Sequence, residues 1–168
     1  MRGKIGFEEH FAIEDTIEDS AGFLPDECWP ELKSRLLDIH DRRLRLMDEN
    51  GIEMMILSLN APAIQARPDV RIAKELSRKA NDFLAEQVGK RPNRFQALAA
   101  LPLQDPEFAS EELQRCVTQL GFIGALVNGF SQIGSAHSAI YYDLPQYRSF
   151  WAVVEAVSYT HLRAHETG

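Results

Sequence analysis

The sequence contains little cysteine and no long apolar run, and each shortage excludes a class of protein. Its two cysteines, Cys28 and Cys116, lie far apart and form no metal-binding or redox motif, so we expect two reduced thiols. No apolar stretch approaches the length that spans a membrane, and residues 1–10 carry charge throughout without an apolar signal core. We therefore expect a cytoplasmic protein that binds no membrane.

Positive charge is also scarce, because 25 acidic residues outnumber 18 lysines and arginines and leave a formal net charge of -7. Such a surface repels phosphate, so we expect no nucleic-acid partner. No glycine-rich phosphate loop follows the first apolar segment, which argues against a dinucleotide-binding sheet. What is present is an ordinary globular composition, with 45% hydrophobic and 26% charged residues in a chain of 168. That length is enough for one domain with a real core.

Short apolar runs alternate along the chain with amphipathic stripes. The pattern predicts strands over 4–11, 52–59, 95–103 and 122–127, which are followed by helices over 30–50, 68–90, 106–120 and 146–157. It also predicts long irregular loops over 12–26 and 131–146. Nearly unbroken apolar strands are typical of a parallel sheet covered by helices. Repeated strand–helix units therefore predict parallel pairing with right-handed crossovers.

Two architectures fit this order, an open doubly wound sheet and a barrel. Long loops after the first and fourth strands, with polar residues at strand ends, are typical of the catalytic face of a (β/α)8 barrel. Four units make only half of such a barrel, which typically needs about 250 residues. We therefore predict an α/β fold that is the N-terminal half of a (β/α)8 TIM barrel of the metal-dependent hydrolase type, cut short.

The end of the chain differs from the rest. No fifth apolar strand follows the last predicted helix, and residues 158–168 resemble translated sequencing-adaptor read-through. We expect a partial barrel over 1–157 and a non-native tail over 158–168. His161 and His165 are spaced as two ligands on one helix face would be, but no third partner motif accompanies them. We therefore reject a metal site there.

The first strand carries the best candidate metal ligands. Strict alternation would place Glu8 and His10 on one side, with Ile5 and Phe7 on the other. A carboxylate and an imidazole at i and i+2, near the carboxyl end of a strand, can reach one divalent ion together. The alternative is a polar strand end exposed to water.

Two more side chains have open interpretations. Phe23 lies in the long loop after the first strand, where it is either an apolar anchor for that loop or a substrate contact. His40 falls among charged neighbours in the predicted 30–50 helix, so we expect it to be solvated.

Several segments, in the same order, resemble the gamma-resorcylate (2,6-dihydroxybenzoate) decarboxylases of the amidohydrolase superfamily. They are EEHFAI (8–13), DSAGF (19–23), RLLDIHDRRLRLMDENGIEMMILSLNAP (35–62), LAALPLQDP (98–106), LQRCVTQLGFIGALVNGFSQ (113–132) and YYDLPQYRSFW (141–151). The resemblance covers about residues 1–156 and implies a metal-dependent, non-oxidative and reversible decarboxylation of a small aromatic hydroxy acid. It implies one divalent metal ion, Zn²⁺ or Mn²⁺, no organic cofactor, and a homo-oligomer for the intact parent.

The resemblance also assigns residues. Glu8 and His10 match the family's first pair of metal ligands, while Phe23 and Asn128 match positions that line the substrate pocket. Asn128 could hydrogen-bond a ring hydroxyl or simply cap a turn. The family's third ligand, a histidine of a Leu-His-Pro strand, falls near residue 164, where Arg163-Ala164-His165 does not match.

Other functional residues of the family have no counterpart in this sequence. They are a later catalytic histidine, a substrate-binding arginine and a final aspartate ligand, which is thought to be the proton donor. We therefore expect the 168-residue product itself to be inactive. The alternatives are a metal-dependent hydrolase of an amide or lactone, and a related decarboxylase of the 2,3-dihydroxybenzoate or aminocarboxymuconate-semialdehyde type.

Overall fold

The structure is a computed structural model that describes residues 3–23, 25–157 and 162–163. In chain order its strands and α-helices are β1 (Lys4–Phe11), α1 (Trp29–Leu37), α2 (Arg42–Asn50), β2 (Ile52–Leu59), α3 (Val70–Lys90), β3 (Phe95–Ala100), α4 (Pro106–Thr118), β4 (Gly124–Val127), β5 (Phe130–Ile133), β6 (Ser135–Tyr141), α5 (Arg148–Ala156) and β7 (Leu162–Arg163). Short 3-10 helices cover Ile17–Phe23, Ala63–Ala66 and Pro145–Tyr147.

One parallel sheet of five strands holds the fold together, in the order β1-β2-β3-β4-β7. All four neighbouring pairs are parallel. The order of these strands across the sheet is the same as their order along the chain. A doubly wound sheet would reverse this order part-way, whereas a barrel keeps it. The strand order therefore confirms the α/β half-barrel and excludes the open-sheet alternative.

The core lies between the sheet and the helices that cross over it. In β2 and β3, Leu57 and Phe95 are fully buried, and the rings of Phe11 in β1 and Phe83 in α3 stack with centroids 6.0 Å apart. Removing one such side chain from water contributes about 1.5–3 kcal/mol. The carboxylate of Asp69 caps the start of helix α3, because it accepts hydrogen bonds from the backbone amides of Arg71 and Ile72. Burial and capping together explain why these segments match the prediction.

The predicted 30–50 helix is wrong, because α1 and α2 are separate helices. Asp38 has an extended backbone with ψ 121°, which ends α1. Its carboxylate then accepts hydrogen bonds from the backbone amides of Arg42, at 3.3 Å, and Arg43, at 2.7 Å. The side chain of Asp38 thus satisfies free amides at the start of α2, as a capping carboxylate does.

His40 falls in the break between these helices and is not solvated as expected. Its ring is half-buried, with Nε2 3.1 Å from Oε1 of Gln87. It also meets the ring of Phe95 edge-on, at a centroid distance of 5.9 Å. The charged neighbours in sequence did not reveal this, because the turn rotates His40 towards α3.

Neither predicted long loop is entirely irregular. Much of 131–146 forms the antiparallel hairpin β5–β6, whose strands join at Gly134 with a left-handed φ of 68°. The hydroxyls of Ser131 and Tyr142 are 2.7 Å apart and fix one side of the hairpin. Within 12–26, a 3-10 helix runs over Ile17–Phe23.

The last described strand also differs from expectation. In β7, Leu162 pairs with Leu126 and Arg163 pairs with Val127, so a short fifth parallel strand does follow α5. The remaining positions of the predicted non-native tail, including His161 and His165, lie outside the described residues. That tail therefore stays a prediction. None of the helices in the described ranges combines the length and apolar character needed to cross a membrane.

Candidate active site

The candidate residues lie at the carboxyl ends of β1 and β4 and in the segment that follows β1. Parallel strands bring these ends to the same edge of the sheet, which is where a barrel places its reactive groups. Glu8 and His10 come from the end of β1, and Asn128 directly follows β4. Phe23 is in the segment that follows β1.

A bulge in β1 sets the position of Glu8. Gly6 pairs with Met55 and Glu9 with Leu57, so three steps along β1 match two steps along β2. Glu8 itself has φ 59°, in the left-handed region that costs a side chain-bearing residue about 1–2 kcal/mol. Bulges redirect side chains and recur beside active sites. The strict alternation assumed from the sequence is therefore interrupted at Glu8.

The His10 imidazole is half-buried and tied to β2. Its Nδ1 lies 3.0 Å from the hydroxyl oxygen of Ser58. Burial lowers the pKa of His10 below its ordinary value, while the negative charge of Glu8 and the backbone of Ser58 act in the opposite direction. A lowered pKa keeps the ring neutral near pH 7, and a neutral ring is the form that binds a metal.

A half-buried guanidinium fixes the backbone at the end of β1. Arg43 donates from Nη2 to the carbonyl oxygen of His10 at 2.6 Å and to that of Arg35 at 3.2 Å. It also donates from Nε to the carbonyl oxygen of Asp38 at 3.1 Å. One side chain of α2 therefore joins the ends of α1 and β1.

A buried amide holds the segment between β1 and α1 in place. Asn60 donates from Nδ2 to the carbonyl oxygen of Thr16 at 2.9 Å and to the hydroxyl of Ser20 at 2.7 Å. Its Oδ1 accepts from the Thr16 hydroxyl at 2.8 Å. Arg67 adds an ion pair to Asp19 at 2.7 Å. The end of β2 and the residues beyond it thus anchor 12–23.

Phe23 ends the 3-10 helix of this segment and is 67% exposed. A side chain that exposed does not anchor a loop, so that alternative is wrong. A role in substrate contact stays a prediction.

Asn128 lies beside a small cavity at the ends of β2, β3 and β4 that Asn60, Gln65 and Leu126 also line. Its Nδ2 donates to Oε1 of Gln65 at 3.1 Å. This amide therefore contacts another side chain across the sheet edge.

Comparison with known proteins gives the family. The amidohydrolase family model matches residues 21–161, which is most of the chain. The chain belongs to the amidohydrolase family.

Individual relatives indicate a narrower group within this family. This amidohydrolase is 66% identical over 155 residues to a gamma-resorcylate decarboxylase of Rhizobium sp. strain MTP-10005, covering 92% of this chain and 47% of the relative. A gamma-resorcylate decarboxylase of Rhodococcus jostii strain RHA1 is 63% identical, with 92% and 48% covered. The resemblance expected from the sequence is thus confirmed, and the chain spans about half the length of the curated relatives it matches.

Solved structures agree in fold and sequence. A 2,6-dihydroxybenzoate decarboxylase complexed with 2,6-dihydroxybenzoate superposes with a TM-score of 0.94 and 64% identity, over 96% of this chain and 50% of that one. A dihydroxybenzoic acid decarboxylase from Polaromonas sp. JS666, with bound manganese and 2-nitroresorcinol, gives 0.93 and 63%, over 96% and 48%.

The donor set of this amidohydrolase is small. Within the described ranges, no group of three or more His, Cys, Asp or Glu side chains could hold a metal ion. Glu8 and His10 are only two donors, whereas catalytic zinc sites use three protein ligands. Metal binding by these two residues therefore stays a prediction.

Sequence reasoning missed three residues that the structure places at the candidate site. Ser58 and Asn60 interrupt an otherwise apolar strand end, and that polarity was a usable signal. Arg43 had no such signal, because it is one of several arginines on an amphipathic helix.

Proposed function

We propose that this chain supplies the β1 metal ligands and part of the substrate pocket of a non-oxidative decarboxylase of dihydroxybenzoates. The reaction converts 2,6-dihydroxybenzoate into resorcinol and carbon dioxide, reversibly. The observation that supports this most strongly is the similarity to 2,6-dihydroxybenzoate decarboxylases across 96% of the chain, at 64% identity in one case. The position of Glu8 and His10 near the carboxyl end of β1 supports the proposal, because barrel enzymes carry their reactive groups at that end of the strands.

Glu8 and His10 are the residues that would hold the divalent metal, Mn²⁺ or Zn²⁺. His10 fits because its pKa is lowered by burial and its Nδ1 faces Ser58, which leaves Nε2 as the ligating nitrogen. Glu8 fits because an exposed carboxylate on a strained bulge is available to a cation. When bound, the metal acts as a Lewis acid and a template for the substrate's carboxylate and an ortho phenolic oxygen.

Phe23 and Asn128 would contact the substrate. The exposed ring of Phe23 offers an apolar surface against which an aromatic acid can pack. Asn128 uses Nδ2 on Gln65, so its Oδ1 is the atom that can accept a hydrogen bond from a ring hydroxyl. These contacts would orient the ring and exclude water from one side of it.

The chemistry explains why the substrate needs two hydroxyls. The carbon that bears the carboxylate takes a proton, and the ring briefly loses aromaticity. Hydroxyl groups on either side of that carbon stabilise the positive charge. The bond to the carboxylate then breaks, its electrons return to the ring, and carbon dioxide leaves. No oxidant is consumed. The proton donor would come from the part of the relatives that this chain does not span.

The same proposal extends to the setting of the enzyme. Its substrate would be a small aromatic hydroxy acid, and the intact parent a homo-oligomer in the cytoplasm. One related structure contains bound 2,6-dihydroxybenzoate and another contains bound manganese, which supports the substrate class and the metal.

The test requires a chain of the relatives' length. Residues 1–157 joined to the remaining part of the Polaromonas enzyme, loaded with Mn²⁺ and given 2,6-dihydroxybenzoate, should produce resorcinol and carbon dioxide in equal amounts. The matched variants are Glu8→Gln, which should abolish turnover, and Glu111→Gln, an exposed change in α4, which should not. Turnover of a lactone without resorcinol formation would reject decarboxylation in favour of hydrolysis.

A further inference from the structure

A contact between β1 and β2 joins the His10 ring to the side chain of Ser58. His10 and Ser58 are direct partners in the parallel register, and the Ser58 hydroxyl oxygen lies 3.0 Å from Nδ1. Ser58 has no exposed surface. Because both residues belong to paired strands, the contact is set by the sheet and does not depend on a mobile loop.

A buried hydroxyl needs a partner, since burying one without a hydrogen bond costs free energy. In the part of the chain that the structure describes, the side chain of Ser58 has one hydrogen-bond partner, the His10 ring. The other ring nitrogen, Nε2, has no hydrogen-bond partner within those same residues. The His10 carbonyl is meanwhile held by Arg43 at 2.6 Å, so the backbone that carries the ring is fixed.

A neutral imidazole has one N–H and one nitrogen lone pair, and a metal binds only the lone pair. If Nδ1 carries the proton, it donates to Ser58 and leaves the Nε2 lone pair free. If the Ser58 hydroxyl donates to Nδ1 instead, the proton is on Nε2 and that nitrogen cannot bind a metal. The direction of this one hydrogen bond therefore decides whether His10 is ready to act as a ligand.

We propose that Ser58 is a positioning residue whose hydroxyl oxygen accepts a hydrogen bond from Nδ1 of His10 and so keeps Nε2 unprotonated for a cation. That His10 binds a cation rests on the proposed function, whereas the tautomer of its ring does not. Ser58 touches neither the cation nor the substrate in this arrangement. It acts through His10, by fixing the tautomer and the ring orientation.

The first test reads the tautomer directly in the 168-residue chain. Long-range proton–nitrogen spectra of the metal-free chain, labelled with ¹⁵N-histidine, show which ring nitrogen of each histidine bears the proton. The His10→Gln variant assigns the signals. We expect His10 to be protonated on Nδ1, and Ser58→Ala to move the proton to Nε2, which a free neutral imidazole prefers.

Ser77→Ala is the matched control. Ser77 is also fully buried, and its hydroxyl donates to the carbonyl oxygen of Ala100 at 2.8 Å. Its loss removes a buried hydroxyl of the same size from the core without touching the site, so the His10 tautomer should not change. Ser58→Thr, which keeps the hydroxyl, should retain the Nδ1 proton. Protonation of His10 on Nε2 in the unaltered chain, or a tautomer that Ser58→Ala leaves unchanged, would overturn the proposal.

The second test measures metal affinity in the chain completed with the Polaromonas segment. Free Mn²⁺ is counted by electron paramagnetic resonance. Ser58→Ala should weaken Mn²⁺ binding about 10–100-fold, the usual effect of removing a group that orients a ligand, and Ser77→Ala should not weaken it. Equal weakening by both variants would show that Ser58 is merely structural. A completed chain that binds no Mn²⁺ would reject the proposed function, while the tautomer spectra would still decide the role of Ser58.

Discussion

In β1, Ile5 and Phe7 are 58% and 50% exposed, whereas in the neighbouring strand β2 every residue from Met55 to Leu59 is buried. In the described residues β1 has a neighbour on one side only, and it contains a bulge and a left-handed glutamate. β2 is paired on both sides, and apart from Ser58 its buried side chains are large and apolar. The two strands therefore differ in role. β2 stabilises the fold, whereas the strained conformation of β1 lowers stability and sets the geometry of the candidate site.

The largest effect should come from the β2 side of this comparison. Leu57→Ala removes a fully buried side chain and leaves a cavity, so the free energy of unfolding should fall by about 2–5 kcal/mol. Urea unfolding followed by circular dichroism measures the change. Ile72→Ala, at a position in α3 that is 42% exposed, is the control and should cost less than about 0.5 kcal/mol. Similar losses in both variants would contradict the view that β2 is the stabilising strand.

Asn60→Ala tests how the end of β2 stabilises the segment that follows β1. The change leaves the Thr16 carbonyl and the Ser20 hydroxyl without their amide partner, which should lower the free energy of unfolding by about 1–3 kcal/mol. It should also speed proteolytic cleavage within residues 12–23, because these lose their attachment to the end of β2. Asn93→Ala, an exposed change, is the control. Slow cleavage in the Asn60 variant would mean that other contacts hold the segment.

Glu8→Gly should act in the opposite direction. Relief of the left-handed strain, about 1–2 kcal/mol, exceeds the cost of the more flexible glycine, about 0.5–1 kcal/mol. The variant should therefore unfold at a slightly higher urea concentration while losing the carboxylate that the proposed site needs. Glu9→Gly provides the comparison, since Glu9 has no left-handed φ and glycine there should only destabilise. A loss of stability in Glu8→Gly would show that the bulge is not strained.

The smallest effect concerns pH and a carboxylate far from β1. Burial alone would raise the pKa of Glu112, but hydrogen bonds from Arg115 and Asn81 outweigh it and the pKa is lowered. A lowered pKa in the folded state contributes stability above the unfolded value of about 4.3, and this is lost as the pH falls through the folded value.

The difference in unfolding free energy between the unaltered chain and Glu112→Gln should therefore be greatest above about pH 5 and shrink below about pH 4.3. Urea unfolding at a series of pH values measures it. Glu111→Gln, exposed on the same helix, should show a smaller dependence. A difference in unfolding free energy that grows as the pH falls would show that the pKa of Glu112 is raised in the folded state and not lowered.

The sequence predicted the parts of the fold whose cause is local. The run 52–59 and the helix that begins at Asp69 follow from apolar length and capping, and both are present. The break at Asp38 was missed because an aspartate can also lie within a continuous helix. Only the structure shows that its carboxylate accepts hydrogen bonds from the first amides of α2. The hairpin was missed because its pairing depends on strands that carry many polar residues.

For the candidate site, too, the sequence indicated what depends on local residues and did not indicate what depends on distant contacts. Glu8 and His10 were predicted from residue type and spacing at a strand end, and their role as ligands stays a prediction. The bulge that positions Glu8 could not be found, because an extra residue in β1 is visible only against the register of β2. Ser58 and Arg43 act through contacts that join residues more than 30 positions apart. Periodicity carries no information about such pairs.

The attachment of residues 12–23 to Asn60 also affects binding. A loop that must become ordered around a ligand reduces affinity by the conformational entropy it loses. Here the amide of Asn60, the hydroxyls of Thr16 and Ser20, and the Arg67–Asp19 pair order that segment during folding. A molecule arriving at the exposed ring of Phe23 would therefore meet a preorganised surface, and its affinity would reflect contacts made more than freedom lost.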